Sequence, residues 1–242
     1  MKKIFAIAAM AAMLIACGEE KPENKPGNKP TPEPDENEFV SKITIDGNYA
    51  DWDAVTENIQ VATLPEGEVQ YSQLKTFKLY ADEMFIHVYC EFDPTNTLVF
   101  VPYFDLDSDA TTGNTSKWDG AGYEAKAEGA VWTTDEAETT LLEPQAWDPA
   151  FYLYTDAGTE EICAAGTGAV MSSVPAPTTG GLYAFEASIV RDLIAMYGLG
   201  ETFTMGMIQY DIDWSYIGKL PCKNAADREA GALEEMLTVT LP

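Results

Sequence analysis

Short runs of β-branched and aromatic residues recur from residue 39 to the end of the chain, and this recurrence limits the fold more than any other feature. Residues 74–81 (LKTFKLYA), 84–92 (MFIHVYCEF), 98–104 (LVFVPYF), 151–155, 182–189, 203–211 and 236–241 each read as a strand. Turn-forming residues separate most of them, and Ala81-Asp82-Glu83 is short enough for a hairpin. Only 188–197 (SIVRDLIAMY) has helical spacing, with Ile189, Leu193 and Met196 on one side and Gly198 as its stop. Strands without long intervening helices predict an all-β chain: a jelly-roll-like β-sandwich with one short helix near residues 188–197. No repeat and no internal linker divides residues 39–242, which read as one domain.

The first residues, MKKIFAIAAMAAMLIACGEE, place Lys2 and Lys3 ahead of an apolar run (4–16) that is too short to span a bilayer and fits a secretory leader. Leu14-Ile15-Ala16-Cys17, followed by Gly18, resembles a bacterial lipobox. That resemblance implies removal of residues 1–16 and acylation of Cys17, with palmitate among the acyl groups. Residues 18–38 hold five prolines and no side chain able to build a core, so they read as an extended tether. At about 3.1 Å per residue such a segment reaches about 65 Å. Glu19-Glu20 resembles the export signal of surface-exposed lipoproteins in some diderm bacteria, which implies a lipid-anchored, cell-surface location at the outer membrane.

Forty acidic against fourteen basic side chains give a net charge of −26, which disfavours nucleic acid and anionic membrane faces and favours metal cations or neutral ligands. The membrane is expected to be met through the lipid anchor only. With Cys17 lipidated, Cys90, Cys163 and Cys222 allow at most one disulfide, and their spacings match no zinc pattern.

The stretch YFDLDSDATTGNT (103–115) carries aspartates at every second position. An EF-hand loop counted from Asp105 needs Gly at its sixth position and Glu at its twelfth, where this chain has Ala110 and Ser116, and a strand rather than a helix precedes it. The helical sensor is therefore excluded. Hard oxygen chemistry survives, because a strand ending at Asp105 and turning sharply converges Asp105, Asp107 and Asp109, with Asp119 and Glu124 near enough to complete a calcium shell. The competing reading is a solvated acidic turn. A calcium site of this kind is expected to bind at about 10⁻⁴–10⁻³ M.

Several patterns occur together in a fixed order: ITIDGNYADWDAV (43–55), KLYADEMFIHVYCEF (78–92), YFDLDSDATTG (103–113) with GAGYE (120–124), and YAFEASIVRDLI (183–194) leading into YDIDW (210–214). The set resembles DOMON-like domains, in the branch similar to family 9 carbohydrate-binding modules, over nearly all of residues 39–242. The resemblance implies a β-sandwich, often calcium-bearing, that binds sugars or, in another branch, haem. Read from the residues themselves, Trp52 is a core side chain, and Glu186 either caps the helical turn or joins the metal shell. His87 alternates with Ile86 and Val88 and reads as a packed or half-exposed side chain rather than a haem ligand or base, so no haem is expected.

A saccharide site needs aromatic faces for pyranose C–H surfaces and a few polar groups for hydroxyls. Trp118 and Trp214 lie beyond strands among polar neighbours and are the first candidates; Tyr216, Trp132 and Trp147 follow. No nucleophile elbow, phosphate loop or zinc helix occurs, and forty carboxylates make any acid/base pair uninformative. The expected function is non-catalytic carbohydrate binding by a surface lipoprotein with a structural calcium, holding glycans near other envelope glycan-uptake proteins. The alternatives are a scaffold subunit of an envelope complex and, further off, a glycoside hydrolase.

Overall fold

A computed structural model describes residues 39–242; the expected leader, the lipidated Cys17 and the tether lie outside the described residues. Period-2 alternation sorts the side chains of the long strands into two faces, and two sheets result. The chain opens with β1 (Gln60–Thr63), β2 (Leu74–Ala81) and β3 (Phe85–Phe92). It continues through β4 (Thr97–Asp105), β5 (Ala125–Ala130), a small hairpin of β6 (Trp132–Thr134) and β7 (Leu141–Pro144), then β8 (Ala150–Thr155) and β9 (Gly158–Cys163). Short β10 (Val170–Ser172) and β11 (Ala176–Pro177) precede β12 (Tyr183–Val190), and β13 (Thr202–Asp211), β14 (Tyr216–Leu220) and β15 (Leu237–Thr240) complete the series. One sheet runs β1-β2-β3-β12-β10, with β11 also on β12; the other runs β14-β13-β4-β5-β8-β9, with β15 also on β13. All described pairings are antiparallel, and the strand-rich chain fits the all-β sandwich expectation.

Phe77, Val88, Phe92 and Phe185 of the first sheet meet Phe100, Phe104, Met205 and Met207 of the second in the main core. Each fully buried side chain of this size contributes roughly 1.5–3 kcal/mol. The second sheet also buries much of its outer face: Val99, Val101 and Tyr103 of β4, with Ile208 and Tyr210 of β13, form a separate cluster around Trp118 and Tyr123. Strand β5 (AKAEGA) carries little β-propensity, and its small side chains make room instead: a Cβ at Gly129 would meet the Trp147 indole nitrogen at 2.6 Å.

The expected helix is shorter than its periodicity suggests. Residues 188–190 stay in β12, where Ser188 and Val190 face His87 and Phe85 of β3, and helix α2 spans only Arg191–Ala195. Sheet pairing outweighs helical spacing here, and Met196 is left 73% exposed. Two further five-residue helices, α1 (Ala50–Ala54) and α3 (Ala225–Glu229), are too short to show periodicity. Cys90, Cys163 and Cys222 are all unbridged thiols.

Residues 39–59 cross the outer face of the first sheet as a strap, burying Ile43, Trp52 and Val55 against Tyr80, Tyr89 and Ala184. Two polar pins fasten it. Glu186 neither caps the helix nor joins the acidic loop; it accepts the Trp52 indole N–H at 2.8 Å and the N–H groups of Asp46 and Gly47 at 3.1 and 2.9 Å. Farther along, Asp82 accepts the Ser41 hydroxyl at 2.7 Å and lies 2.7 Å from His87 Nε2, while His87 Nδ1 meets the Ser188 hydroxyl at 2.7 Å. His87 is thus a fully packed histidine. Ser188, His87 and Asp82 are the residue types of a hydrolase triad, but Ser188 is 2% exposed, so its hydroxyl is sealed from substrate.

Trp52→Phe keeps most of the buried area but removes the donor to Glu186 Oε2, leaving a buried carboxylate oxygen short of a partner. The expected cost is about 1–3 kcal/mol in urea unfolding; a cost below about 0.5 kcal/mol would show that this pin is unimportant.

Candidate metal centre and ligand cleft

Strand β4 ends at Asp105 with its outward alternation intact, so this carboxylate leaves the sheet on the same face as Val99, Val101 and Tyr103. The chain then turns: Ser108 takes φ 56°, Asp107 Oδ1 accepts the Asp109 N–H at 2.9 Å, and the Thr112 N–H bonds the Asp109 carbonyl at 3.0 Å. The loop closes on Gly122, where a Cβ would lie 1.9 Å from the Thr112 carbonyl oxygen. Only glycine fits that approach. The closure brings Glu124 beside the aspartates, so that carboxylate oxygens of Asp105, Asp107 and Glu124 lie within 4.8 Å of one another. This triad could hold a metal ion, and its all-oxygen donor set suits a hard cation.

Each member is held differently. Asp105 is 2% exposed; its Oδ2 accepts the Gly122 N–H at 3.3 Å, while its buried Oδ1 has no hydrogen-bond partner among the described residues. A buried carboxylate oxygen without a donor is costly unless a cation or ordered water meets it. Glu124 is half-buried, with Oε2 accepting the Leu106 N–H at 2.8 Å, and Asp107 is exposed. The Thr112 hydroxyl lies 3.0 Å from Glu124 Oε1 and 3.2 Å from Asp107 Oδ1. Burial pushes the Asp105 and Glu124 carboxyls above their ordinary values, and the negative charge of Asp107 adds to the rise in both.

Two of the five expected ligands lie elsewhere. Asp109 turns its carboxylate back onto its own loop, accepting from the Thr111 N–H and hydroxyl at 2.9 and 2.6 Å. Asp119 Oδ1 accepts the Glu234 N–H at 2.7 Å. Closeness in sequence does not fix side-chain direction: Asp109 serves its own loop, and Asp119 ties that region to the backbone of Glu234 far along the chain.

The aromatic candidates divide as sharply. Trp118 is fully buried: its indole N–H donates to the Pro221 carbonyl at 2.8 Å, and its ring fills the space left by Gly206, where a Cβ would lie 2.5 Å away. Lys219 covers it, 4.9 Å from the ring centroid, and is itself buried in an ion pair with Glu234. Trp147 is buried too, donating to the Phe100 carbonyl at 3.2 Å. Neither can stack on a sugar. Tyr216 stands edge-on to Tyr210 at 4.8 Å with Lys117 over its ring, and belongs to the packing behind a cleft rather than to its lining.

Trp132 and Trp214 come to one cleft. Both line an open cleft of about 520 Å³ on the outer face of the second sheet, together with Tyr152, Gln145, Glu128 and Glu138. Trp214 is 53% exposed and sits at the tip of the β13–β14 turn with φ 59°, held by its N–H to the Asp211 carbonyl at 3.1 Å. Glu138, across the cleft, has φ 53°. Non-glycine residues in this region carry strain of roughly 1–2 kcal/mol each, which the fold sustains at two points of one cleft. Glu128 and Glu138 escaped sequence reasoning, because β5 and the β6–β7 hairpin give no strong strand signal; Tyr152 lies on the strand read at 151–155, but nothing in the sequence marks which face of it meets the tryptophans. Val99 lines this cleft while Asp105, six residues on along β4, holds the acidic triad, a separation of about 20 Å at about 3.3 Å per residue. The acidic triad and the aromatic cleft are therefore separate sites. No protein-family model matches the chain, and no curated protein matches it.

For the acidic triad, a hard divalent cation at about 100 times its Kd is expected to raise the unfolding temperature by about 5–10 °C, and Asp105→Asn to abolish that rise. The sign of the pH effect follows from the raised carboxyls. In metal-free protein their contribution to stability is fully present below the ordinary carboxylate values and is lost as pH rises through the higher folded-state values. A cation needs them ionised, so the metal-dependent temperature rise should grow between pH 5 and pH 7.5, about the range above ordinary carboxylate titration. Calorimetric scans with and without chelator read both effects.

Proposed function

We propose that this protein is a non-catalytic carbohydrate-binding lipoprotein, anchored through Cys17 at the outer membrane surface, whose β-sandwich presents a saccharide to other envelope proteins and carries a structural calcium. The observation that carries this reading is the convergence of Trp132 and Trp214, from hairpins far apart in sequence, on one open cleft with polar side chains between them. Flat indole faces stack on the C–H surface of a pyranose, while Gln145, Tyr152 and Glu128 offer donors and acceptors for hydroxyls. An open cleft with strained walls suits a preformed surface for a chain glycan better than a closed chamber for a small molecule. The resemblance to DOMON-like domains and family 9 carbohydrate-binding modules agrees with the sandwich and with an acidic loop at one end of it. Calcium is favoured over magnesium because a loop offering mono- or bidentate carboxylates together with backbone carbonyls suits a larger, irregular shell.

Trp214 separates binding from stability. Trp214→Gly releases left-handed strain but gives up the ring contact with Tyr210 at 5.6 Å between centroids, so it is expected to change stability by less than about 1 kcal/mol in either direction, while reducing glycan binding at least about tenfold. Trp132→Ala should also lose binding, at a cost in stability, because its ring contacts Phe92 and Tyr183 at 6.1 and 5.6 Å between centroids. A chelator should change glycan affinity less than about twofold, given the separation of about 20 Å. A glycan array probed with wild type, both variants and chelated protein checks all three. Full retention of glycan binding in Trp214→Gly would remove this cleft as the site, and binding of a protein from the envelope in place of any glycan would favour a scaffold role.

A further inference from the structure

Resting on the saccharide reading of the cleft, we infer that Glu128 is a specificity-determining residue that turns this site against anionic glycans such as polyuronates and selects uncharged ones. Among the described residues, the charged side chains lining the cleft are Glu128 and Glu138, and no lysine or arginine lines it. The Lys126 ammonium stands two residues before Glu128 on the same outward face of β5 and is bound to the Glu128 carboxylate. It also lies over the rings of Tyr152 and Tyr154, 5.4 and 5.9 Å from their centroids. Carboxylate and rings hold Lys126, and Lys117 is likewise held over the Tyr216 ring at 4.0 Å, so a uronate entering between Trp132 and Trp214 meets two lining carboxylates and, among the described residues, no lining positive charge. The net charge of −26 adds a long-range term of the same sign. Rejection by unpaired like charge discriminates between saccharides whose stacking surfaces are alike.

Removing the Glu128 charge should reduce the bias, because Lys126 is then free to turn toward the cleft. The experiment measures binding of neutral hexose oligosaccharides and of hexuronate oligosaccharides of matched length to the full domain, at low and physiological salt. The proteins are wild type, Glu128→Gln, the double variant Lys126→Met with Glu128→Gln, and Trp214→Ala. The expected result is neutral binding that Trp214→Ala weakens at least about tenfold, with uronates bound at least about tenfold more weakly than neutral chains by wild type. Glu128→Gln should change neutral affinity less than about threefold and improve uronate affinity at least about fivefold, with salt erasing the gain and the double variant lacking it. Uronate binding by wild type that disappears in Trp214→Ala would overturn the selection while leaving the saccharide site intact. An unchanged uronate affinity in a stably folded Glu128→Gln, or a gain that survives in the double variant, would overturn the role of Glu128. Binding of no oligosaccharide by any variant would overturn the saccharide reading itself, and this inference with it.

Discussion

The antiparallel pairing of β4 with β13 is the constraint on which the rest of the structure depends. Phe100 opposite Gln209, and Pro102 opposite Met207, face the inter-sheet core, while Val99, Val101 and Tyr103 face outward with Ile208 and Tyr210. A slip of one residue would exchange the two sets and place Asp105 inside the sandwich. The same register delivers Asp105 to one end of the outer face and Val99 to the other, so a single strand fixes both candidate sites.

Because β4 and β13 are apolar on both faces, each side needs a cover, and the covers are fastened with buried polar groups. On the second sheet, Trp118 is roofed by Lys219, whose ammonium is bound by Glu234 and by the Lys117 carbonyl at 2.6 Å. Arg228 reaches Glu68 at 2.8 Å beside the same cluster. On the first sheet, the strap is held by Glu186 and by the Asp82–His87 pair. Burial alone would raise the Asp82 carboxyl, but hydrogen bonds from His87, Ser41 and the N–H groups of Met84 and Phe85 outweigh it and hold it down to about 2. Such networks add specificity more surely than net stability, since each buried charge is costly to desolvate. They determine which loop lies on which face, a choice that greasy contacts alone leave open.

Strands with strong alternation were legible in the sequence: the readings at 74–81, 84–92, 98–104 and 203–211 match β2, β3, β4 and β13 within a residue or two at each end. Strand β5 was not, because alanine and glycine signal nothing about a sheet until the tryptophan they accommodate is known. The acidic loop was legible as chemistry, yet only Asp105, Asp107 and Glu124 converge; the return of Glu124 depends on the approach of Gly122 to Thr112, a contact across ten residues that spacing does not reveal. The tryptophans show the same limit. Polar neighbours in sequence suggested an exposed Trp118, but Lys219 and Glu234, far along the chain, supply the cover that buries it.

The separation of the two sites changes how the loop and the cleft can be related. A cation at Asp105 would relieve repulsion and satisfy an orphaned oxygen, which strengthens the end of β4 and, through pairing, β13 and β5. The cleft draws its geometry from elsewhere: the β13–β14 turn, the β6–β7 hairpin and the rigid outer face of β5 and β8. Its walls are strained at Trp214 and Glu138, and that strain is sustained by the packing of the sandwich. A metal bound at one end would then act on the stability of the domain without acting on the cleft at the other. Substitutions at the acidic loop and at the cleft should accordingly add without coupling, since no side chain is shared between them.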